Sequence, residues 1–335
     1  MGYIRKHLSF FLRALISLTI LIVIGLRVNW PELGRTFQTM DWTWVGAAFL
    51  TFGVVILFAV LRWDVLLRVH GIHLPWRKTA EIWMIGHFFN AFLLGTTGGD
   101  VAKIYYCAQA LPEHRSAAAL SIIFDRLLGL FVLLSIAVVL GLWHYPILDG
   151  DPVTHKALLA IFLSFIAMLC GLAVFLIPPA WSFFFQIVNR FAPNHLQKTV
   201  NNIHEAFIRY TQSWGANFMA IIISIILHLL TFIMSFFLLR ALHLHDVPFW
   251  PFVSCLPIIG FLVAIPVSIS GLGMREGLFV SFLGLLSIDK EIALAFSLAG
   301  FGVTLLWSLI GGLIYLQYKK PEDSFSKIEH ATDTV

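Results

Sequence analysis

Apolar positions in this chain run in long unbroken blocks, not in the alternation of strands or the one-sided stripe of a soluble helix. Six blocks, residues 8–27, 43–61, 117–143, 157–177, 215–239 and 292–318, are each long enough to cross ~30 Å of hydrocarbon as a helix rising about 1.5 Å per residue. Two further apolar regions are interrupted. Residues 80–112 break at Gly95-Thr96-Thr97-Gly98-Gly99-Asp100, and residues 247–288 break from Pro266 through Gly271-Leu272-Gly273 to Arg275-Glu276. The pattern predicts an all-α polytopic membrane protein, with about six transmembrane helices and two opposed re-entrant helical hairpins.

Composition removes the competing class. The chain is 59% hydrophobic and 12% charged, with a mean hydropathy of +0.88, so no soluble domain could bury its apolar surface. Cys107, Cys170 and Cys255 lie in apolar stretches with no framework spacing and read as small core residues. The pI of 9.0 reads as basic loops beside anionic lipid, not as nucleic-acid binding. At the amino terminus Arg5-Lys6 precedes an apolar run that lacks a small-residue cleavage site, which reads as a retained signal anchor.

Basic residues then set the threading. With the amino terminus in the cytoplasm and both interrupted regions treated as hairpins, Arg27, Arg35, Lys156, Arg240 and Lys290 fall outside. Arg126 and Arg275 fall within the membrane, and the remaining lysines and arginines, Arg62 and Lys103 among them, are assigned to the cytoplasmic side. That bias follows the positive-inside rule; treating either interrupted region as one crossing places basic loops outside. The order helix, helix, hairpin, helix then occurs twice in opposite orientation, an inverted-topology repeat. Its halves are residues 1–145 and 155–320 of a single membrane domain, 1–320. An offset of 175 carries Gly98 onto Gly273, Asp100 onto Arg275 and Ala118 onto Ala293.

Within residues 183–214, Leu196, Val200, Ile203, Phe207, Tyr210 and Trp214 step by three or four, and Asn194 with Gln197 has the spacing of a capping box. This is an amphipathic cytoplasmic segment, lying in the interface or packed on the bundle. Residues 321–335 form a polar tail. Trp42, Trp44, Trp63, Trp76 and Trp143 lie near span ends and read as interface anchors. The glycines of 300–302 and 311–312 read as helix-packing residues.

Asp100, Asp125, Arg126, Arg275 and Glu276 lie at membrane depth, with Lys103 one turn beyond Asp100. A charge at the bilayer centre costs at least ~2.5 kcal/mol, so such groups pair or face water. Two readings stay open: internal salt bridges that lock the hairpins, or a polar cavity that holds a lipid headgroup. In the second, Lys103, Arg126 and Arg275 hold a phosphate, and Asp100, Asp125 and Glu276 balance them. Gly95, Gly98, Gly99, Gly271, Gly273 and Pro266 break the backbone, leaving half-helix N-termini that suit an anion. Asn90 is placed to satisfy the broken backbone. His87 and His228 read as hydrogen-bonded core residues, and His243 and His245 as exposed loop residues. No metal or cofactor is implied.

The stretches "NAFLLGTTGGDVAKIYYCAQ", "ALSIIFDRLLGL", "IPVSISGLGMREG" and "GGLIY" together resemble the lysylphosphatidylglycerol synthase transmembrane family, over nearly the whole chain. Family members carry a basic residue three positions after the GGD aspartate, which Lys103 supplies. Where members often have proline-glycine before that motif, this chain has Leu94-Gly95. The resemblance implies movement between leaflets of phospholipids, notably aminoacylated phosphatidylglycerol, or of isoprenoid-linked lipids. The two-domain members add a soluble transferase after the membrane part. This sequence ends shortly past its last apolar block, so the expectation is a transporter and not a lysyltransferase. A membrane enzyme using Asp100 or Glu276 as general base is the main alternative, although HExxH and GxSxG are both absent. A non-transporting scaffold of envelope synthesis is the other.

Overall fold

Every apolar block within reach of the structure becomes a helix, as it must where lipid offers the backbone no hydrogen bonds. The computed structural model describes residues 29–92, 98–110, 114–191, 213–265 and 271–318, with Leu26 and separate positions between 193 and 212. The block 8–27 apart from Leu26, together with Gly95, Pro266, Asn194, Leu196, Ile203 and the tail, therefore lies outside the described residues.

Among the described residues twelve helices have defined bounds: α1 (Trp30–Thr39), α2 (Trp42–Val69), α3 (Trp76–Phe92), α4 (Gly98–Ala110), α5 (Arg115–Trp143), α6 (Tyr145–Leu148), α7 (Pro152–Leu176), α8 (Pro178–Phe191), α9 (Trp214–Ala241), α10 (Phe249–Ala264), α11 (Met274–Gly284) and α12 (Lys290–Gln317). Among the described residues, five of them (α2, α5, α7, α9 and α12) are long and apolar enough to span a membrane. Local chemistry sets several starts. Asp41 accepts from the Thr43 N–H at 2.9 Å, and Asp151 from Val153 at 2.9 Å with Pro152 next in line.

The two interrupted regions each resolve into a pair of short helices, α3 with α4 and α10 with α11. The sequence of long, short, short, long helices thus occurs twice, as α2–α5 and as α9–α12. The offset of 175 that carries Gly98 onto Gly273 aligns all four helices of one set with those of the other to within a few residues. Packing is reciprocal as well. The two leading helices, α2 and α9, lie against each other, while α5 packs on α10 and α12 packs on α3.

Close backbone contact holds the first pair together. A Cβ on Gly99 would overlap the Gly86 carbonyl oxygen, and one on Gly311 would overlap the Met84 carbonyl, so α3 sits pressed between α4 and α12. Gly311 and Gly312 thus act as the packing glycines their spacing implied. Leu50, Leu57, Leu163, Ile166, Leu229 and Leu309 remain exposed on the outer helix faces, as expected where lipid is the solvent.

Some sequence expectations need correction. Trp63 is 1% exposed and donates its indole N–H to Ser121 Oγ at 3.1 Å; it is a core residue, not an interface anchor. Trp42, Trp76 and Trp143 are exposed. The span expected to end at residue 61 continues to Val69, because Trp63, Leu66 and Leu67 are buried at helical spacing beyond Arg62. Of the stepping residues in 183–214, Tyr210 stacks on Phe124 at 3.9 Å and is buried against α2 and α5. Trp214 instead is exposed.

Candidate functional site: a buried charge cluster at the first broken helix pair

Helix α5 presents Asp125 and Arg126 side by side, and the two residues pair with different helices. Asp125 receives two bonds from Arg62 on α2, Nε to Oδ1 at 2.7 Å and Nη2 to Oδ2 at 3.1 Å. The third guanidinium nitrogen, Nη1, donates to Ser224 Oγ on α9 at 2.9 Å. Gly129, one turn along α5, makes room for this guanidinium: a Cβ there would lie 3.0 Å from Nη1. Arg126 points the other way and forms a salt bridge with Asp100, in the first turn of α4. One dipeptide therefore ties together α2, α4, α5 and α9.

Lys103 lies one turn beyond Asp100 and is buried. Its stem crosses Gly86, where a Cβ would come within 2.5 Å of Lys103 Cγ, and its ammonium lies 4.9 Å from the centroid of the Trp83 ring. Trp83 in turn stacks on His87 at 5.4 Å. Among the described residues Lys103 makes no salt bridge, although Asp100, Asp125, Arg62 and Arg126 are all within electrostatic reach. Cation–π contact with an indole stabilises a desolvated ammonium without neutralising it.

The second broken pair is built differently. Gly271 and Gly273 take φ of 76° and 80°, the left-handed region that glycine tolerates, and so turn the chain into α11. Glu276 Oε2 accepts from the Gly273 N–H at 2.7 Å, and its other oxygen pairs with Arg275. Ser297 on α12 accepts from Arg275 Nε at 3.2 Å, and the guanidinium lies 4.4 Å from the centroid of the Phe301 ring. The offset of 175 carries Asp100 onto Arg275 and Arg126 onto Phe301. The same pair of positions is therefore in contact in both halves, once as a salt bridge and once as a cation–π contact.

The sequence-predicted charges thus fall into two groups. Asp100, Lys103, Asp125 and Arg126 meet at α4–α5, whereas Arg275 and Glu276 pair with each other at α11–α12. The starts of α4 and α11 are both engaged by the chain's own groups. Asn90 Oδ1 accepts from the Gly99 N–H at 2.8 Å, and Glu276 caps Gly273. Gly98 opens α4, and Gly99 serves the approach of α3 rather than that of a ligand.

Sequence reading missed Arg62, which it assigned to the cytoplasm, and the polar or aromatic partners Ser224, Trp83, Ser297 and Phe301. A usable signal existed for Arg62, since apolar positions at helical spacing continue on both sides of it. His87 and His228 are buried and each makes a backbone hydrogen bond, with Thr304 and Gly129 respectively, although Nε2 of each has no partner among the described residues. His243 reaches the Thr39 carbonyl and His245 reaches Arg240.

Long apolar helices, two pairs of interrupted helices, and ion pairs wholly or partly withdrawn from the surface among them together define a polytopic α-helical integral membrane protein. Its sequence places it more narrowly. The chain belongs to the family described as the lysylphosphatidylglycerol synthase TM region, whose model matches residues 10–312 and thus spans both helix sets. No match is found among curated proteins.

Proposed function

We propose that this protein moves an anionic or aminoacylated phospholipid, or an isoprenoid-linked lipid, between leaflets by alternating access, with Lys103 holding the lipid phosphate. The observation that carries this reading is the charge balance around Lys103. Arg62, Lys103 and Arg126 share the two acids Asp100 and Asp125, and each acid already has an arginine partner. A phosphodiester carries the one negative charge that would neutralise the cluster. Arg126 and Arg275, each engaged by a carboxylate, then serve as reserve ligands that become available only if those pairs open.

In the same reading the two interrupted regions are re-entrant hairpins of an inverted repeat, in a bacterial cytoplasmic membrane with both termini inside. Support comes from the basic-residue bias, the doubled helix order, the reciprocal packing, and the repeated contact at the Asp100/Arg126 and Arg275/Phe301 positions. The protein is not an enzyme in this view.

The test is leaflet exchange of labelled phosphatidylglycerol by purified protein in liposomes, with mass analysis of the same lipid. Exchange should occur with every lipid mass unchanged, and Lys103→Gln should abolish most of it while Lys103→Arg retains part. Exchange that survives Lys103→Gln unaltered would refute the role of this lysine. A new lipid species formed by the protein alone would refute transport in favour of headgroup chemistry.

A further inference from the structure

Away from the charge cluster, a cavity of about 820 Å³ opens between the start of α3 and the end of α12. Its walls are of two kinds. Ala80, Met84 and Ile314 form an apolar floor, and Trp76, Arg77, Lys78 and Tyr318 form an aromatic and cationic rim. Trp76 is half-exposed, and the Arg77 side chain is 90% exposed. Aromatic residues beside cations at the end of a spanning helix mark the depth of lipid headgroups.

Glu81 organises the rim. It accepts from Arg77 Nε at 3.0 Å and from Lys78 Nζ at 2.9 Å, while Lys78 also lies 4.8 Å from the centroid of the Tyr318 ring. One carboxylate thus holds two cations. Positive charge at this mouth exceeds negative, directly above an apolar floor. An occupant that matches both walls has an anionic head and a hydrocarbon tail.

We infer that this groove binds a phospholipid with an anionic headgroup, its phosphate against Arg77 and Lys78 and one acyl chain along Met84 and Ile314. Surface cations of this kind each favour anionic lipid by about one kcal/mol, so removing two reduces binding about thirtyfold. The groove shares no residue with the Lys103 cluster, and the inference stands whether or not that cluster transports lipid.

The experiment uses the full chain purified in detergent and incubated with phosphatidylglycerol or phosphatidylcholine of identical acyl chains, retained lipid being counted by native mass spectrometry. Arg77→Gln with Lys78→Gln should lower phosphatidylglycerol retention about thirtyfold and leave phosphatidylcholine unchanged. Glu81→Gln should raise phosphatidylglycerol retention, because both cations lose their competing carboxylate; a purely structural role for Glu81 predicts no rise. Ile314→Trp, which fills the floor and keeps the charges, should lower it. Unchanged retention in the Arg77/Lys78 variant overturns the inference, as does equal loss of both lipids, which would mark nonselective contact with surrounding lipid. If the double variant does not fold, failure of Glu81→Gln to raise retention overturns it by itself. Because the groove shares no residue with the Lys103 cluster, the rim variants should have the same effect in a Lys103→Gln background, whatever lipid Lys103→Gln itself releases. Loss with Lys103→Gln alone and no change in the rim variants would assign the lipid to the helix cluster, sinking this inference while sparing the proposed function.

Discussion

Replacing Arg62 with alanine should be among the most damaging single substitutions in this protein. Both partners of the Arg62–Asp125 pair are only 12% exposed, and the geometry is bidentate, with bonds of 2.7 and 3.1 Å. Taking away the guanidinium leaves the Asp125 carboxylate stranded between helices and leaves Ser224 without its charged donor. Breaking a buried pair in this way costs ~3–5 kcal/mol, most of it the desolvation of the group left behind rather than the net worth of the pair. Replacing both residues with apolar ones of similar size, Arg62→Met with Asp125→Leu, removes the stranded charge and should recover most of the loss. The assay is thermal unfolding in one detergent for wild type, both single variants and the double variant. A double-mutant cycle then isolates the coupling, expected at roughly 2 kcal/mol or more. Strictly additive effects, with the double variant as unstable as the two singles combined, would refute the claim that these charges lock α2 to α5. Arg62→Lys is the finer probe. It keeps the charge but cannot reproduce two parallel bonds and the third to Ser224, so it should still lose a substantial part of the stability.

Other consequences can be checked on the same preparations. Gly99→Ala should destabilise by ~1–3 kcal/mol in the same melt, because the new methyl meets the Gly86 carbonyl, which belongs to helical backbone, and the Asn90 side chain. Arg275→Ala should lower the melting temperature by stranding Glu276, which is 1% exposed, and the added Glu276→Gln should restore much of it; transport lost without loss of stability would instead make Arg275 a headgroup ligand. At the end of α2, burial, and to a lesser degree Arg209, holds His70 below its ordinary value of 6.5, so its neutral form is the one the fold favours. Its contribution is whole above pH 6.5 and falls away as pH drops through the folded value, so acid should loosen the contact with Tyr210, 4.7 Å away between ring centroids. His70→Phe should flatten that part of the pH–stability profile, and an unchanged profile would show that another group sets it.

Much of the fold was legible because membrane helices obey a simple rule. A backbone in lipid must satisfy its own hydrogen bonds, so a long apolar run has one available conformation and its ends fall where polar residues begin. The runs at 117–143, 215–239 and 292–318 came out as helices within a few residues of those limits. The two breaks were legible for the same reason, since glycines followed by a carboxylate or an arginine cannot continue a lipid-facing helix. The doubled order of helices also has a trace in Gly98 and Gly273, which lie at the starts of α4 and α11.

The partnership of charges was not legible, and the reason is geometric. Sequence marks a buried charge as expensive but says nothing about which helix will supply its partner, because pairing depends on rotation and depth of helices far apart in the chain. Arg62 and Asp125 are separated by 63 positions, and Ser224 lies 162 positions from Arg62. Arg62 in fact looked like the polar end of a span. Only packing decided that Asp125 and Arg126, neighbours on one helix, would face different partners, and that Arg275 would turn to its own neighbour Glu276. By itself the sequence determined that this is a helical membrane protein with two polar breaks, since hydrophobicity and backbone satisfaction are properties of each segment alone. Tertiary structure decided which cations are already spoken for and that Lys103 lacks a salt bridge among the described residues, because neutralising a charge requires atoms brought together in space.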